Sequence, residues 1–318
     1  MFKRIFAVLL VVAITAGSFY GVRNSQNIID WWHLRDYTPS QEIADLATNA
    51  GFSDLGRKLF YVYDPKLMQK SEFAQKCTVG AETIVLGCYI SHQSINLFDI
   101  QDERLAGGKE VTAAHEMLHA AYDRLSPQEQ DKLESLLVDT FNNLHDKRIE
   151  EIVKTYERRD RTVVANELHS ILGTDVRDLP GPLEDHYRQY FSDRSKVVTL
   201  AEKYNDEFAK REDEIASYDT QLSSIQGEIV QLESSLRLQK DALERMRADL
   251  EALKNTPDSY NASVVSYNAR VRAYNKDVDT LKAKVSSYNK LVEERNNIAV
   301  EERELVNAID TRVEQLGQ

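Results

Sequence analysis

The spacing of apolar residues divides the chain into two parts. Before about residue 195, short apolar runs alternate with polar turns, and after it apolar side chains recur at alternating intervals of three and four. The second spacing is typical of a coiled-coil seam. We therefore predict a compact domain over residues 25–195, followed by a long helical coiled coil over residues 196–318.

The coiled-coil pattern is interrupted at residues 254–259, where Asn, Thr, Pro and Asp occur together and favour a turn. If the chain folds back there, seam positions before the turn face seam positions after it. We therefore expect an antiparallel hairpin of two helices, residues 200–253 and 260–313. The polar seam residues would then form three pairs: Arg211 with Glu302, Arg295 with Tyr218, and Gln239 with Tyr274.

The first part of the chain carries both strand and helix patterns. Runs rich in β-branched and aromatic residues predict strands over 59–63, 83–90 and 94–100. Residues 110–122 have apolar side chains at helical spacing, with no Gly or Pro among them, and predict a helix. The expected fold is an α+β domain with a small sheet, followed by the α-helical hairpin.

Three residues of the predicted helix have the spacing of a metal site. His115 and His119 are one helical turn apart, so both imidazoles lie on one face and can bind one ion. Glu116 lies beside them, where it can take a proton from bound water. This spacing is that of the zinc-hydrolase signature His-Glu-x-x-His.

Residues 165–174 offer candidates for a third metal ligand. Glu167 and His169 lie two positions apart and therefore on nearly opposite faces of a helix, so only one of them can point at the ion. Glu167 is the candidate that we favour, and His169 is the alternative.

Together the two segments resemble the gluzincin metallopeptidases, the thermolysin-like class, in which a second helix carries Asn-Glu-x-x-Ser. The matching residues are His115, Glu116, His119, Asn166, Glu167 and Ser170. The resemblance implies a zincin-like domain with Zn²⁺ held by the two histidines and Glu167. It also implies a metalloendopeptidase that hydrolyses peptide bonds with zinc-bound water, assisted by Glu116.

The chain departs from the gluzincin pattern after the second motif. Ile171 stands where the family usually has Asp, which leaves the hydrogen-bond partner of a zinc-binding histidine unassigned. Asp123 and Asp175 are the candidates for that role. Further along the chain, His186 and Tyr187 are candidates for stabilising the oxyanion of a tetrahedral intermediate.

The N-terminus and the cysteines predict an extracytoplasmic protein. Residues 5–22 are uncharged, mostly apolar and long enough to cross a bilayer, so residues 1–24 are expected to form a signal anchor. If this segment is instead a cleaved signal, the protein is secreted. The two cysteines, Cys77 and Cys88, are expected to form a disulfide in this compartment.

Composition narrows the range of partners. The chain has 40 Lys and Arg against 52 Asp and Glu, a net charge of −12, which does not favour nucleic acid. The expected partners are a peptide or protein substrate, which can add as a strand to the sheet, and an envelope protein bound by the coiled coil. Two functions remain: a membrane-anchored zinc peptidase, or a non-catalytic envelope scaffold. The presence of Glu116 between the histidines favours the enzyme.

Overall fold

The computed structural model describes residues 25–77 and 84–312. Within these ranges the chain is mostly helical and forms two units, residues 25–206 with 308–312, and residues 207–307. The elements before the long helices are α1 (Ser25–Leu34), α2 (Gln41–Asn49), α3 (Asp54–Val62), β1 (Lys66–Met68), α4 (Lys70–Lys76), β2 (Gly87–Ile90), β3 (Ser94–Phe98), α5 (Gly108–Asp123), α6 (Pro127–Leu144), α7 (Lys147–Arg159), α8 (Val164–Asp175) and α9 (Gly181–Tyr187). The long helices are α10 (Arg194–Ala252) and α11 (Pro257–Ile309). The boundary between the units falls inside α10, beyond the expected boundary at residue 195.

The sheet has three strands in the order β1-β3-β2. Strand β1 runs parallel to β3, with Leu67 opposite Leu97, and β2 runs antiparallel to β3, with Cys88 opposite Asn96. Strand β2 therefore forms one edge of the sheet.

One of the predicted strands is wrong. Residues 59–63 belong to α3 and the turn after it, whereas the other two predicted strands are present in shorter form as β2 and β3. Ser53 caps α3, because its side chain accepts a hydrogen bond of 3.1 Å from the Gly56 N–H. Leu59 and Phe60 then face the core from one side of the helix. Capping and amphipathic burial outweigh the strand preference of the aromatic residues here.

Helix α5 lies in the middle of the core and packs closely against α8. Three of its buried positions are small, Ala113, Ala114 and Ala120, which lets neighbouring elements approach. Gly173 of α8 lies where the two helices cross, and a Cβ added there would be 2.5 Å from Leu118 Cδ1 of α5. This close packing brings the two sequence motifs together.

Two predictions concern the cellular compartment. The sulfur atoms of Cys77 and Cys88 lie 2.00 Å apart, which confirms the predicted disulfide. Closing so short a loop stabilises the fold by about 3 kcal/mol if the gain is entropic. No helix within residues 25–77 and 84–312 is long and apolar enough to cross a membrane. The predicted signal anchor falls on residues 1–24, which lie outside the described residues.

The second unit consists of parts of α10 and α11, which fold back on one another through a turn at residues 253–256. Pro257 opens α11, a position where its missing N–H costs nothing. The helices run antiparallel, as the pair Lys284–Glu228 and the 3.0 Å contact between Arg295 Nε and Asp219 Oδ1 show. This arrangement is compatible with the predicted coiled-coil hairpin.

The predicted polar partners within this unit are displaced by one to three residues. The observed contacts join Arg211 to Glu301 at 3.6 Å, Arg295 to Asp219 at 3.0 Å, and Gln239 to Asp277 at 2.6 Å. These partners are acidic and flank the seam, where a charged group remains close to water. The fold-back point is as expected, but the polar seam residues pair with acidic residues one to three positions from their predicted partners.

We expect Leu232→Cys and Leu281→Cys, combined in one chain, to form a disulfide within that chain on oxidation. Both positions lie half-buried on the seam, close in sequence to the Lys284–Glu228 pair. Val230→Cys with Leu281→Cys is the matched control, since Val230 is 58% exposed. Non-reducing electrophoresis and peptide mapping measure the product. Crosslinks found only between chains would contradict the intramolecular hairpin.

Candidate metal centre

Helix α5 places His115 and His119 on one face, with their ring centroids 4.7 Å apart and their rings nearly perpendicular. One ligand atom from each of His115, Glu116 and His119 lies within 4.8 Å of the others, so this group could hold a metal ion. Both histidines are partly exposed to solvent. The helical spacing thus gives the juxtaposition that the sequence predicts.

Glu167 from α8 approaches both imidazoles. Its Oε2 lies 3.6 Å from His115 Nε2 and 3.8 Å from His119 Nε2. Ligands about 2.0–2.1 Å from a tetrahedral zinc ion lie roughly 3.4 Å from one another, close to these separations. The same Oε2 is buried and has no hydrogen-bond partner among the described residues. A buried carboxylate oxygen left in this way is well placed to bind a cation.

The Asn-Glu-x-x-Ser motif has a clear structural role on α8. Asn166 Oδ1 lies 2.9 Å from His119 Nδ1, and Ser170 Oγ lies 3.2 Å from the same nitrogen. The Nδ1 proton is therefore assigned to the bond with Asn166, which leaves the Nε2 lone pair of His119 facing Glu167. One helix thus supplies a carboxylate and fixes the tautomer of a histidine opposite it.

The predicted alternatives for this supporting role, Asp123 and Asp175, are wrong. Asp123 accepts hydrogen bonds from the hydroxyls of Tyr89 at 3.1 Å and Ser91 at 2.6 Å. Asp175 pairs with Arg148 at 2.9 Å. Asn166 and Ser170 lie one turn apart on the face of α8 that packs against His119. They therefore occupy the positions next to its Nδ1.

Glu116 lies in a tight pocket between α5 and the edge strand β2. An added Cβ at Gly87 would be 2.6 Å from Glu116 Oε1, so only glycine leaves room for the carboxylate there. Burial and the nearby Glu167 carboxylate raise the pKa of Glu116 to about 7, although His119 and the Tyr89 backbone N–H oppose the rise. A carboxylate of this kind can accept and release a proton near neutral pH.

A cleft of about 620 Å³ opens above the histidines. Residues 84–89 line one wall, and side chains of α7 and α8 line the other, including Tyr156 and Arg159. Burial raises the pKa of Glu167, but His115, His119 and a hydrogen bond from Tyr156 together hold it below its usual value. Tyr156 and Arg159 are not predicted from the sequence, because neither residue has a recognisable spacing from either motif.

The remaining candidates, His186 and Tyr187, do not line this cleft. His186 Nε2 lies 2.9 Å from Nε2 of the buried His169, and the Tyr187 hydroxyl donates a 2.7 Å bond to the His169 carbonyl oxygen. Burial lowers the pKa of His186 to about 4 and that of His169 well below its usual value. The two imidazoles form a neutral pair, and His169 does not face the site.

We expect Asn166→Ala and Ser170→Ala each to weaken metal binding by about 10- to 100-fold, the range for lost partners of metal-binding histidines. Each change removes a group that holds His119 in the binding tautomer. Asp175→Asn is the matched control, because this residue also lines the cleft but pairs with Arg148. Titration against a chelator of known affinity measures the effect. Equal losses in all three variants would contradict the assignment.

Comparison of the chain with protein-family models, with curated proteins and with solved structures found no match. The class of the site therefore follows from its residues alone. They form a His-Glu-His group that could hold a metal ion, with a second carboxylate directed at both histidines, at the floor of an open cleft.

Proposed function

We propose that this protein is a zinc-dependent peptide hydrolase of the gluzincin type, held at a membrane by residues 1–24 with the cleft outside the cytoplasm. The observation that carries the proposal is the approach of Glu167 Oε2 to both histidine Nε2 atoms beside Glu116. The disulfide supports the compartment, since such bonds persist where the surroundings are oxidising.

The donor set fits zinc. Two neutral imidazoles and one carboxylate are the ligands of many catalytic zinc sites, which keep a further position open. His115, His119 and Glu167 would hold the ion, which would contact the Oε2 of Glu167, a buried oxygen without a hydrogen-bond partner among the described residues. When bound, zinc supplies Lewis acidity and lowers the pKa of a coordinated water.

Glu116 would act as the proton carrier of the hydrolysis. It takes a proton from the water that attacks the peptide carbonyl carbon, and it gives that proton to the amine nitrogen as the C–N bond breaks. Its buried position between α5 and β2 keeps bulk water from competing for the proton. The Tyr89 backbone N–H donates to this carboxylate and would hold it in place for the proton transfer.

The edge strand β2 would bind the substrate backbone. Phe98 N–H donates to the Leu86 carbonyl at 2.8 Å, so alternate residues of β2 direct their backbone groups towards β3. Gly87 then directs its N–H and C=O outward, along the wall of the cleft. An extended peptide can add there as a further strand. Apolar side chains such as Val111, Ile152 and Ile171 line the cleft, and they favour a substrate with apolar side chains beside the cut bond.

The proposal is tested on the full-length purified chain by metal analysis together with a screen of extended peptides. We expect one zinc ion per chain and cleavage within the peptides that stops with a chelator and returns with added zinc. Bound zinc without any cleavage across a broad library would favour the non-catalytic scaffold. Absence of bound zinc, with unchanged cleavage in chelator, would remove the metal from the mechanism.

A further inference from the structure

Helix α1 presents two faces of opposite chemistry. On its inner face Asp30 is only 1% exposed and accepts hydrogen bonds of 2.9 Å and 2.9 Å from the guanidinium of Arg124. Lys58 Nζ lies 2.9 Å from the same carboxylate, and His33 Nδ1–H donates to the Val62 carbonyl at 3.2 Å. These contacts fix the rotation of the helix about its own axis.

The outer face of α1 is apolar and open to solvent. Trp31 and Trp32 are 59% and 57% exposed, and Ile28 and Ile29 are 45% and 47% exposed. At about 100° per residue, these four side chains cover one continuous arc of roughly 160°. We call these four residues the aromatic face. A contiguous exposed apolar patch of this kind marks an interaction surface.

The chemistry of the aromatic face matches the boundary between lipid and water. The Arg35 guanidinium lies 4.5 Å from the Trp32 ring centroid and 5.9 Å from that of Trp31, so a cation borders the two indoles. Tryptophan prefers the headgroup region of a bilayer, because its ring is apolar and its N–H needs a polar partner. Arginine beside it can reach lipid phosphate while its stem stays among apolar groups.

The sequence before α1 indicates what the aromatic face binds. Residues 5–22 contain no charged side chain, and only two residues separate them from Ser25, where α1 begins. A segment of this composition favours the lipid phase, so it would bring α1 to the membrane surface. We propose that the aromatic face docks in the headgroup region of a lipid bilayer, with α1 lying along the membrane plane. The ion pairs of Asp30 would then orient the first unit relative to that membrane.

This docking rests on the proposed membrane attachment by residues 1–24 but not on hydrolysis, and intrinsic fluorescence tests it directly. Trp31 and Trp32 are the only tryptophans in the chain, so tryptophan emission, excited selectively over that of tyrosine, reports on the aromatic face alone. The full-length chain is reconstituted into phosphatidylcholine vesicles brominated near either the carbonyl end or the methyl end of the acyl chains. We expect blue-shifted emission that bromine near the carbonyl end quenches more strongly than bromine near the methyl end.

Substitutions on the same face provide the matched comparison. Ile28→Asp with Ile29→Asp should remove most of the quenching and shift the emission to the red, whereas Ile28→Leu with Ile29→Leu should preserve both signals. Vesicle flotation reports separately on membrane attachment by the N-terminal segment. A chain that floats but is not quenched by either lipid would overturn the docking. Stronger quenching from the methyl end, or a blue shift that depends on protein concentration in lipid-free detergent, would do the same.

Discussion

Replacement of Glu116 by Gln should lower the rate of peptide hydrolysis by at least about a hundredfold, the lower end of the range for a lost general acid–base. Gln keeps the size of Glu, so it fits the space beside Gly87 and can still accept the Tyr89 N–H. It cannot take a proton from water at neutral pH. The measured quantity is kcat/KM for the best peptide found in the screen.

Metal content separates loss of chemistry from loss of the site. Because the proposed ligand atoms belong to His115, His119 and Glu167, the Glu116→Gln variant should still bind zinc with nearly unchanged affinity. Asp123→Asn on the same helix is the control for nonspecific damage, since its carboxylate bonds to Tyr89 and Ser91 instead. Unchanged turnover in Glu116→Gln would show that another group carries the proton.

The sequence was sufficient for the parts of the site that lie on single helices. One helical turn fixes the relation of His115 to His119, and one turn likewise relates Asn166 to Ser170. The hydrogen-bond partners of His119 depend on how α8 crosses α5. Residue spacing within one helix does not predict that crossing. Close packing at Gly173 sets that crossing and makes Asn166, rather than either aspartate, the nearest acceptor.

For the fold as well, long local patterns are predicted from the sequence and tertiary contacts are not. The apolar repeat predicted α10 and α11 and the turn between them, because the pattern extends over many turns of helix. The strand predicted at residues 59–63 is wrong. Five residues rich in aromatics fit either a strand or a helix, and here Ser53 caps a helix. Tyr156 reaches Glu167 from a separate helix, a contact that only the tertiary structure reveals.

Replacement of Glu167 by Ala should weaken zinc binding by more than about a hundredfold. Loss of a partner outside the ligand set already costs about 10- to 100-fold, and a direct ligand should cost more. Its Oε2 is also a buried oxygen without a hydrogen-bond partner among the described residues, and the ion would give it a direct contact. Competition with a chelator measures the affinity. Glu167→Gln, which keeps a neutral oxygen ligand, should fall between Ala and the parent.

His169→Ala provides the opposing test, because this residue is the alternative third ligand. Its Nε2 bonds to His186 at 2.9 Å, away from the cleft, so removing it should leave zinc affinity nearly intact. The change does leave a cavity in the core and should lower the free energy of unfolding of the metal-free chain. Added zinc should still raise the melting temperature of His169→Ala as it does for the parent, since only an ion that binds the folded state stabilises it. The same addition should barely stabilise Glu167→Ala. If the two variants exchange these responses, His169 is the ligand and α8 must rotate when the ion binds.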